Sequence, residues 1–552
     1  MSSEAQGATG VPLIEQTIGD FFDAMADRQP GREALVSRHE GLRFTYRALQ
    51  VEANRLASAL LRLGLAPGDR VGIWSHNNTP WVLMQLATAK AGLILVNINP
   101  AYRTAEVEYA LNKVGCKALV TMARFKDSNY IAMLQELGRE RLSQLQHIFW
   151  IDQVGRGDEV PGMRRFSALL HGGDPADPRV AEVQKTLKAT DPINIQFTSG
   201  TTGFPKGATL THRNILNNGF FIGECMKLTP DDRLCIPVPL YHCFGMVLGN
   251  LACLTHGAAM VYPSDGFDPL TVLETVQAER CTGLHGVPTM FIAELDHPRF
   301  AEFDLSSLRT GIMAGSPCPI EVMKRVVSAM HLGEITIAYG MTETSPVSCQ
   351  SSTDTPLDKR VSTVGTVQPH LEVKIIDPET GSPVPRGECG ELCTRGYSVM
   401  HGYWGDEAKT REAIDPEGWM HTGDLATMDA EGYVNIVGRM KDMVIRGGEN
   451  IYPREIEEFL YRHPKVQDVQ VVGLPDRKFG EELCAWIIAK PGQALTEDEV
   501  RDFCKGQIAH YKVPRYIQFV TAFPMTVTGK IQKFKIREAM VERLNLQADR
   551  TA

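Results

Sequence analysis

One short stretch of the chain, Gln196–Gly207, collects the residue types that bind a polyphosphate. Its sequence, QFTSGTTGFPKG, holds four hydroxyl side chains, three glycines and a lysine. Glycines let a ligand approach the backbone closely, and successive N–H groups in such a turn form a concave anion site. The hydroxyl groups and the Lys206 ammonium add donors and positive charge. The stretch therefore predicts a phosphate-binding loop.

The loop is not a Walker A motif. Pro205 precedes Lys206 and Gly207 follows it, whereas a Walker A loop needs Ser or Thr after the lysine and a helix behind it. The flanking segments Ile193–Phe197 and Ala208–Leu210 have the apolar character of strands. We therefore predict that the loop connects two strands.

A second group of chemically distinctive residues follows a predicted strand at Ile335–Ala338. Tyr339, Gly340, Thr342 and Glu343 supply an aromatic ring, a flexible backbone position, a hydroxyl and a carboxylate. The carboxyl ends of strands are where α/β sheets bind ligands. A lone carboxylate oxygen suits Mg²⁺, which takes one or two protein oxygens and completes its shell with phosphates and water.

Composition limits the class of protein. The chain has 552 residues, 43% of them hydrophobic, and a formal net charge of −9, which argues against a general nucleic-acid binder. No apolar run is long enough to cross a membrane, and the first residues lack the features of a signal or transit peptide. The twelve cysteines show no C-x-x-C pair and no zinc-type spacing with histidine. We expect a cytoplasmic protein with reduced thiols.

Helical and strand-like segments alternate along the first half, which predicts an α/β fold. Residues before Leu42 are expected to form a leader and a short helix around Ile18–Ala26. Further predicted helices are Thr45–Leu63 and Trp81–Ala91, and the predicted strands are Val71–Ser75, Leu93–Asn97, Ala118–Met122, His147–Ile151 and Ala258–Tyr262. Near the C-terminus we predict a helix at Pro453–His463, strands at Asp468–Val472 and Cys484–Ala489, and a capping box at Thr496–Glu499.

The phosphate loop resembles that of the adenylate-forming superfamily, which includes acyl-CoA synthetases, adenylation domains of peptide synthetases and luciferases. Four more motifs match in the family order: YGMTE at residues 339–343, TGD at 422–424, GRMKD at 438–442 and PMTVTGK at 524–530. The resemblance implies a large N-terminal domain of stacked α/β sheets plus a β subdomain, with a small mobile α+β C-terminal domain. The implied boundaries are 1–438, a hinge at 439–442, and 443–552.

The resemblance implies ATP, Mg²⁺ and coenzyme A as cofactors and assigns the ATP site. It places Tyr339 on the adenine, Asp424 on both ribose hydroxyls, and Arg439 on the ribose and phosphate side. Glu343 holds Mg²⁺ with help from Thr198. The remaining nucleotide-binding residues are those of the phosphate loop and the adenine edge: Thr198, Ser199, Gly200, Thr201, Thr202, Gly203, Phe204, Pro205, Lys206, Gly315 and Ser316.

Catalysis is implied for Lys530, Lys206, Thr342 and Glu343. In the resembled enzymes a carboxylate oxygen attacks the α-phosphate while pyrophosphate leaves, so positioning and electrostatics dominate. Lys530 is the movable cation of this first half-reaction. Thr342 contacts the phosphate or the acyl carboxylate.

The acyl and coenzyme A sides are also implied by resemblance. The acyl pocket is assigned to His242, Gly286, Val287 and Gly340, the hinge pivot to Lys441, and the coenzyme A side to Arg446, Gly447, Gly448 and Glu449. No aspartate occurs between Ile236 and Asn250. A substrate α-amino group would lack its counter-ion there, so amino acids are disfavoured as substrates.

These observations predict an AMP-forming fatty acyl-CoA synthetase, with the closest resemblance to medium-chain fatty acid:CoA ligases. Two related alternatives stay open: an acyl-adenylate former that loads a separate carrier protein, and a ligase for branched or aryl acids. A third alternative is a nucleotide-binding regulator without catalytic activity. It is disfavoured, because such a protein would lack catalytic residues of the motifs, and all of them are present in this sequence. The expected partner is a small carboxylic acid, with no nucleic acid or transmembrane segment, and a homodimer is expected by resemblance alone.

Overall fold

The structure is a computed structural model of the chain. It describes residues 1–125, 127–152, 160–198, 205–446, 449–505 and 507–546. Two large sheets, an antiparallel subdomain and a small C-terminal α+β unit make up these ranges. The predicted fold class is confirmed. The exact domain boundaries at 438 and 443 stay a prediction.

The first large sheet carries the phosphate loop at one end. Its six parallel strands are followed by two antiparallel ones. In spatial order the eight strands are Arg164–Arg165, His147–Trp150, Ala118–Thr121, Arg70–Trp74, Ile94–Asn97, Pro192–Thr198, Lys206–Thr211 and Gly402–Tyr403.

The second large sheet has nine strands and carries the Tyr339–Glu343 motif at the end of one of them. Six central strands are parallel, and antiparallel strands close both edges. In spatial order they are Thr366–Val367, Val347–Gln350, Glu334–Gly340, Thr310–Ala314, Gly283–Gly286, Arg233–Cys235, Ala259–Tyr262, Glu33–Ser37 and Leu42–Thr45.

The main core lies between these two sheets. Helix Thr79–Ala91 is buried on nearly all sides, with Trp81 fully buried, because it packs with residues of both sheets. An all-round apolar helix of this kind belongs in the interior of a large domain. The other helices of this region are Ile18–Arg28, Tyr46–Arg62, Thr104–Val114, Tyr130–Arg141, Phe166–His171, Pro178–Gln184, His212–Met226, Ala252–His256, Pro269–Glu279, Pro288–Leu295, Ile320–Ala329, Leu357–Ser362 and Glu407–Ala413, with a π-helix at Phe244–Leu251.

The β subdomain is a five-stranded antiparallel sheet. Its strands in spatial order are Glu4–Gln6, Leu371–Ile376, Gly390–Gly396, Met420–Met428 and Val434–Arg439. The predicted leader contains a short strand, because residues 4–6 pair with Leu371–Ile376. Three residues with a polar composition carry no strand signal, and the partner strand lies more than 360 residues away in the sequence.

The C-terminal unit has its own sheet and its own core. Its strands are Glu449–Ile451, Val444–Arg446, Gly480–Ala489 and Val466–Asp476, with Tyr516–Phe519 added beside Gly480–Ala489. Its helices are Pro453–Leu460, Glu497–Cys504 and Lys533–Arg543. The predicted capping box is present, since the Thr496 hydroxyl accepts from the Glu499 N–H and the Glu499 carboxylate accepts from the Thr496 N–H.

The other predicted elements are present with ends shifted by a few residues. The predicted helix Thr45–Leu63 spans Tyr46–Arg62, and Thr45 is its N-cap. No helix in the described ranges is both long and apolar enough to cross a membrane. All twelve cysteines are free.

Candidate active site

The two strands that flank the phosphate loop pair with each other in antiparallel register. Thr198 ends strand Pro192–Thr198 and lies opposite Lys206, the first residue of the next strand. The predicted strand-to-strand connection is therefore confirmed. The loop residues Ser199, Gly200, Thr201, Thr202, Gly203 and Phe204 lie outside the described ranges, whereas Thr198, Pro205 and Lys206 lie inside them.

Glu343 lies beside the first strand of this loop. Its Oε1 accepts hydrogen bonds from the Thr198 hydroxyl at 3.1 Å and the Tyr403 hydroxyl at 2.8 Å. The residue is 5% exposed. Within the described ranges its Oε2 accepts no protein hydrogen bond, which leaves one carboxylate oxygen for an external partner. The predicted pair Glu343 and Thr198 is thus brought together.

Tyr403 also holds the lysine of the loop. The Lys206 Nζ lies 4.3 Å from the centre of the Tyr403 ring, which is a cation–π distance. Strand Gly402–Tyr403 adds to Lys206–Thr211 and so brings this ring next to the loop. Tyr403 was not among the predicted site residues. It stands between the two glycines of a family-like GYWG run, and only the sheet pairing reveals its position.

Asp424, Tyr339 and Arg439 form a second cluster. The Tyr339 hydroxyl donates to Asp424 Oδ2 at 2.8 Å, and Arg439 Nε lies 3.4 Å from Asp424 Oδ1. Asp424 and Arg439 are paired across adjacent strands of the β subdomain. Burial raises the pKa of Asp424, while Arg439, Tyr339 and Lys530 act in the opposite direction. The three predicted residues are therefore adjacent.

Lys530 of the C-terminal unit reaches the same region. It belongs to a tight turn in which the Thr526 N–H donates to the Lys530 carbonyl, and the Lys530 N–H donates to the Thr526 hydroxyl. The Thr289 hydroxyl donates to the carbonyl of Gly529 at 3.5 Å. Gly529 has a φ of +77° and its Cα faces Val287 so closely that a Cβ would lie 2.9 Å from Val287 Cγ2. Only glycine fits this turn without strain.

The charge of Lys530 is set by its surroundings. Burial lowers the pKa of Lys530, and the nearby Arg439 lowers it further. Asp424 and Glu343 oppose that shift. The lysine is therefore within electrostatic reach of both acidic clusters. Such a cation, aimed into a partly closed site, can stabilise a developing negative charge more strongly than one in water.

Two residues of the predicted acyl side, His242 and Cys243, lie within electrostatic reach of Lys530. Burial lowers the pKa of His242 to about 3, and the Lys530 charge adds to the effect, so His242 is a neutral imidazole. Its Nδ1 accepts from the Phe244 N–H at 3.2 Å. The buried Cys243 thiol donates to Gln196 Oε1 at 3.3 Å. His242 and Cys243 together form an uncharged, weakly polar surface, which we call the neutral wall. The π-helix Phe244–Leu251 follows it directly in the sequence.

Three predicted glycines, and the predicted valine beside one of them, have packing environments that the structure describes. A Cβ on Gly340 would lie 1.6 Å from the Pro346 carbonyl oxygen, so the sheet itself requires this glycine. A Cβ on Gly286 would lie 2.9 Å from the Phe291 ring. Gly315 has a φ of +90° and is exposed, and its Cα lies close to Val287. Val287 therefore touches both the adenine-side glycine and the Lys530 turn.

Two further predicted positions, Ser316 and Thr342, are partly exposed near these elements. Ser316 follows Gly315 directly, and Thr342 opens the 3₁₀ turn that carries Glu343. Both side chains are accessible to a ligand. Burial raises the pKa of the Cys243 thiol and the Thr342 hydroxyl acts in the opposite direction, so the Glu343 motif lies near the predicted acyl side.

The residues predicted for the hinge and the coenzyme A side differ in exposure: Lys441 and Glu449 are exposed, whereas Arg446 is engaged by other side chains. Lys441 is exposed in the 3₁₀ turn Met440–Asp442. Arg446 does not point to an open surface, because it forms a two-point salt bridge with Glu482 at 2.8 and 2.7 Å and stacks on the Phe479 ring. Glu449 is exposed on the paired strand. Gly447 and Gly448 lie outside the described ranges.

The fold, the contact of Thr198 with Glu343, the cluster around Asp424 and a lysine supplied by the C-terminal unit are those expected of an adenylate-forming enzyme. Residues 22–404 match the family model of AMP-binding enzymes, and residues 455–530 match the model of the AMP-binding enzyme C-terminal domain. The chain therefore belongs to the AMP-binding enzyme family.

Individual relatives extend over nearly the whole chain. YngI of Bacillus subtilis (strain 168) is 50% identical over 97% of this chain and 99% of its own. The mitochondrial medium-chain acyl-CoA ligase ACSF2 of Bos taurus is 47% identical over 99% of this chain and 91% of its own. The crystal structure of the anthranilate CoA ligase AuaEII in complex with anthranoyl-AMP has a TM-score of 0.86 at 28% identity, covering 99% of this chain and 100% of that one.

The chain is accordingly an acid–thiol ligase. It uses ATP to activate a carboxylic acid and transfers the acyl group to coenzyme A, which confirms the predicted function. The carrier-protein alternative is not favoured by these relatives.

Proposed function

We propose that the acid substrate is a medium-chain fatty acid and that Mg²⁺ assists its activation. The observation that carries the proposal is the neutral wall around His242 and Cys243 beside the Lys530 ammonium. A carboxylate can lie next to the ammonium while an alkyl chain extends along uncharged groups. The medium-chain ligase ACSF2, 47% identical to this chain, supports the chain-length range.

In the first half-reaction, one oxygen of the acid attacks the α-phosphorus of ATP, and the bond to pyrophosphate breaks. Negative charge grows on the non-bridging oxygens. We assign its stabilisation to Lys530 and Lys206, with Thr342 as a hydroxyl donor. Asp424 holds the ribose, and its two existing partners, Tyr339 and Arg439, fix the carboxylate in place before the nucleotide binds.

The donor set at Glu343 fits Mg²⁺. The ion prefers oxygen ligands and keeps several waters and phosphate oxygens. Among the residues that the structure describes, none bonds to Glu343 Oε2, and the Thr198 hydroxyl lies 3.1 Å from its Oε1. Bound there, Mg²⁺ would supply charge neutralisation at the phosphates. The two hydroxyl donors, from Thr198 and Tyr403, orient the carboxylate that would hold it.

We assign the present geometry to adenylation, because Lys530 faces the two acidic clusters. For thioester formation we propose that the small domain turns about residues 439–442, with Lys441 as pivot, and withdraws Lys530. The hairpin Val444–Arg446 and Glu449–Ile451 then borders the coenzyme A path. Because Arg446 is bound to Glu482, we assign it to holding this hairpin in place. Glu449 is exposed and is therefore more accessible to coenzyme A than Arg446.

The acid preference is tested by a substrate panel. Straight acids from acetate to palmitate, with benzoate and branched acids, are incubated with ATP and Mg²⁺, each with and without coenzyme A. We expect loss of free thiol to peak at intermediate chain length. A peak for benzoate or branched acids would replace the medium-chain proposal. Pyrophosphate release without thiol loss would contradict the acceptor assignment.

Two further properties belong to the proposal. A cytoplasmic location is supported by twelve free cysteines, which suit a reducing compartment. A homodimer is supported by family resemblance. Cell fractionation and light scattering after size-exclusion chromatography test them, and a monomeric mass would contradict the dimer.

A further inference from the structure

Three potential metal ligands meet on the β subdomain, in a group to which the reaction assigns no role. Within the described ranges, the ligand atoms of Glu391, Cys393 and His421 all lie within 4.8 Å of one another. Glu391 and Cys393 are two residues apart on strand Gly390–Gly396, so their side chains share a face. His421 lies directly opposite Cys393 on the neighbouring strand. Sheet pairing thus assembles a group that sequence spacing did not indicate.

Two of the three ligand separations fit a tetrahedral zinc ion, and the third, between Glu391 and Cys393, is within 4.8 Å. His421 Nδ1 lies 3.5 Å from Cys393 Sγ and 3.0 Å from Glu391 Oε2. With bonds of about 2.0 Å to nitrogen or oxygen and about 2.3 Å to sulfur, tetrahedral ligands are separated by about 3.5 Å for N and S and about 3.3 Å for N and O. Both observed separations agree to within a few tenths of an ångström.

Two of the three ligands are buried, and the third is partly exposed to solvent. Cys393 is fully buried and Glu391 is 7% exposed. The His421 side chain is 33% exposed, so an ion can enter from its side and water can complete the shell. Burial and the neighbouring carboxylates raise the pKa of Cys393 to about 12. A cysteine ligand binds as the thiolate, so binding of the ion displaces the thiol proton.

The second nitrogen of the histidine faces another carboxylate. Asp415 Oδ2 lies 3.8 Å from His421 Nε2. The other oxygen of Asp415 is fixed by the N–H groups of Glu417 and Trp419, each at 2.9 Å. A carboxylate behind the non-ligating nitrogen is the usual outer partner of a metal-bound histidine, because it fixes the tautomer and the ring.

We propose that Glu391, Cys393 and His421 form a binding site for a borderline-soft divalent cation of the Zn²⁺ class, coupled to the ribose-binding segment. Binding forms bonds from the metal to sulfur, nitrogen and oxygen, and it releases the thiol proton and any proton on Nδ1. No electron transfer occurs. Mg²⁺ does not compete for this site, because it prefers an all-oxygen shell.

The coupling runs through Glu391. Its Oε1 accepts from the Gly423 N–H at 3.1 Å, while its Oε2 faces the cluster. Gly423 has a φ of +68° and immediately precedes Asp424. A cation bound at Oε2 draws the carboxylate toward Cys393 and weakens its hold on Gly423. We therefore expect the ion to raise the KM for ATP.

The site is tested on the full chain by Zn²⁺ titration against a competing chelator, without substrates. We expect one ion per chain, with affinity reduced at least about 100-fold in Cys393→Ala and in His421→Asn, since even outer-partner changes cost 10–100-fold. Co²⁺ in place of Zn²⁺ should give a thiolate charge-transfer band that Cys393→Ala removes. Cys225→Ala is the matched control, a partly exposed thiol on helix His212–Met226.

Three outcomes would overturn the inference. The first is absence of saturable binding, and the second is equal affinity in the parent chain and both variants. The third is a response of the ATP KM to Zn²⁺ that is the same in Cys393→Ala as in the parent, or absent in the parent despite binding. If Cys393→Ala does not fold, loss of the Co²⁺ band in His421→Asn tests the same site.

Discussion

Replacing Lys530 by alanine should separate the two half-reactions. The ammonium lies among Glu343, Asp424 and Arg439, and we place the attacked α-phosphate between them. A charge about 4 Å from a developing negative charge contributes about 4 kcal/mol at an effective dielectric constant of about 20. Each 1.4 kcal/mol is about tenfold in rate, so adenylation should slow by about 10³-fold. Thioester formation from supplied acyl-adenylate should change little, because the proposed turn of the small domain withdraws Lys530 before that step.

The assay is a pair of single-turnover measurements. One follows pyrophosphate from ATP and the fatty acid, and the other follows thiol loss from acyl-adenylate and coenzyme A. Lys535→Ala removes the same charge from an exposed position five residues further on and should leave both rates unchanged. An equal loss of both rates in Lys530→Ala would refute the two-state reasoning, and so would an equal effect of Lys535→Ala on adenylation.

Four further predictions concern the same site. Asp424→Asn should raise the KM for ATP about 10- to 100-fold, since a charged hydrogen bond contributes about 1.5–3 kcal/mol; steady-state kinetics measure it. Glu343→Gln keeps the shape of the side chain but should raise the Mg²⁺ concentration for half-maximal rate at least about tenfold, measured by Mg²⁺ titration. Arg446→Ala should lower the unfolding free energy by about 1–3 kcal/mol, because the buried Glu482 loses both short hydrogen bonds and keeps only the Arg515 guanidinium at 3.7 Å; denaturant unfolding measures it. The adenylation rate should fall as pH rises through the lowered pKa of Lys530, because the ammonium is present below that pKa and lost above it; a single-turnover pH profile measures it.

Each of these has an outcome that would contradict it. An unchanged ATP KM in Asp424→Asn would remove the ribose assignment, and an unchanged Mg²⁺ requirement in Glu343→Gln would remove the metal assignment. If Arg446→Ala kept full stability but lost thioester formation, Arg446 would be a coenzyme A contact and not a structural residue. An alkaline limb that persists in Lys530→Ala would belong to another group.

Local motifs made much of the ATP site predictable. The pairing of Thr198 with Lys206 follows from two short apolar runs around a glycine-rich loop. Glu343 was predictable as a functional carboxylate, because it follows a strand end in an α/β pattern. The roles of Asp424 and Arg439 could be predicted only from the family resemblance. The two residues lie on different strands, and no local sequence pattern shows that these strands pair.

Other contacts could not be predicted, because they depend on which strands become neighbours. Tyr403 reaches both Glu343 and Lys206 only because its two-residue strand adds to the edge of the first sheet. Cys393 and His421 are 28 residues apart and meet through one register in the β subdomain. Such register choices are set by packing of whole layers, which short sequence patterns do not encode.

The acyl-adenylate itself provides the most direct test of the proposed chemistry. A medium-chain acid whose two carboxylate oxygens carry a heavy isotope is converted with ATP and coenzyme A, and the products are analysed by mass spectrometry. Attack of the acid on the α-phosphorus predicts one labelled oxygen in the phosphate of AMP and one in the acyl-CoA. Label in inorganic phosphate with formation of ADP would mean attack at the γ-phosphorus. Unlabelled AMP would mean that no acyl-adenylate forms, and either result would contradict the account.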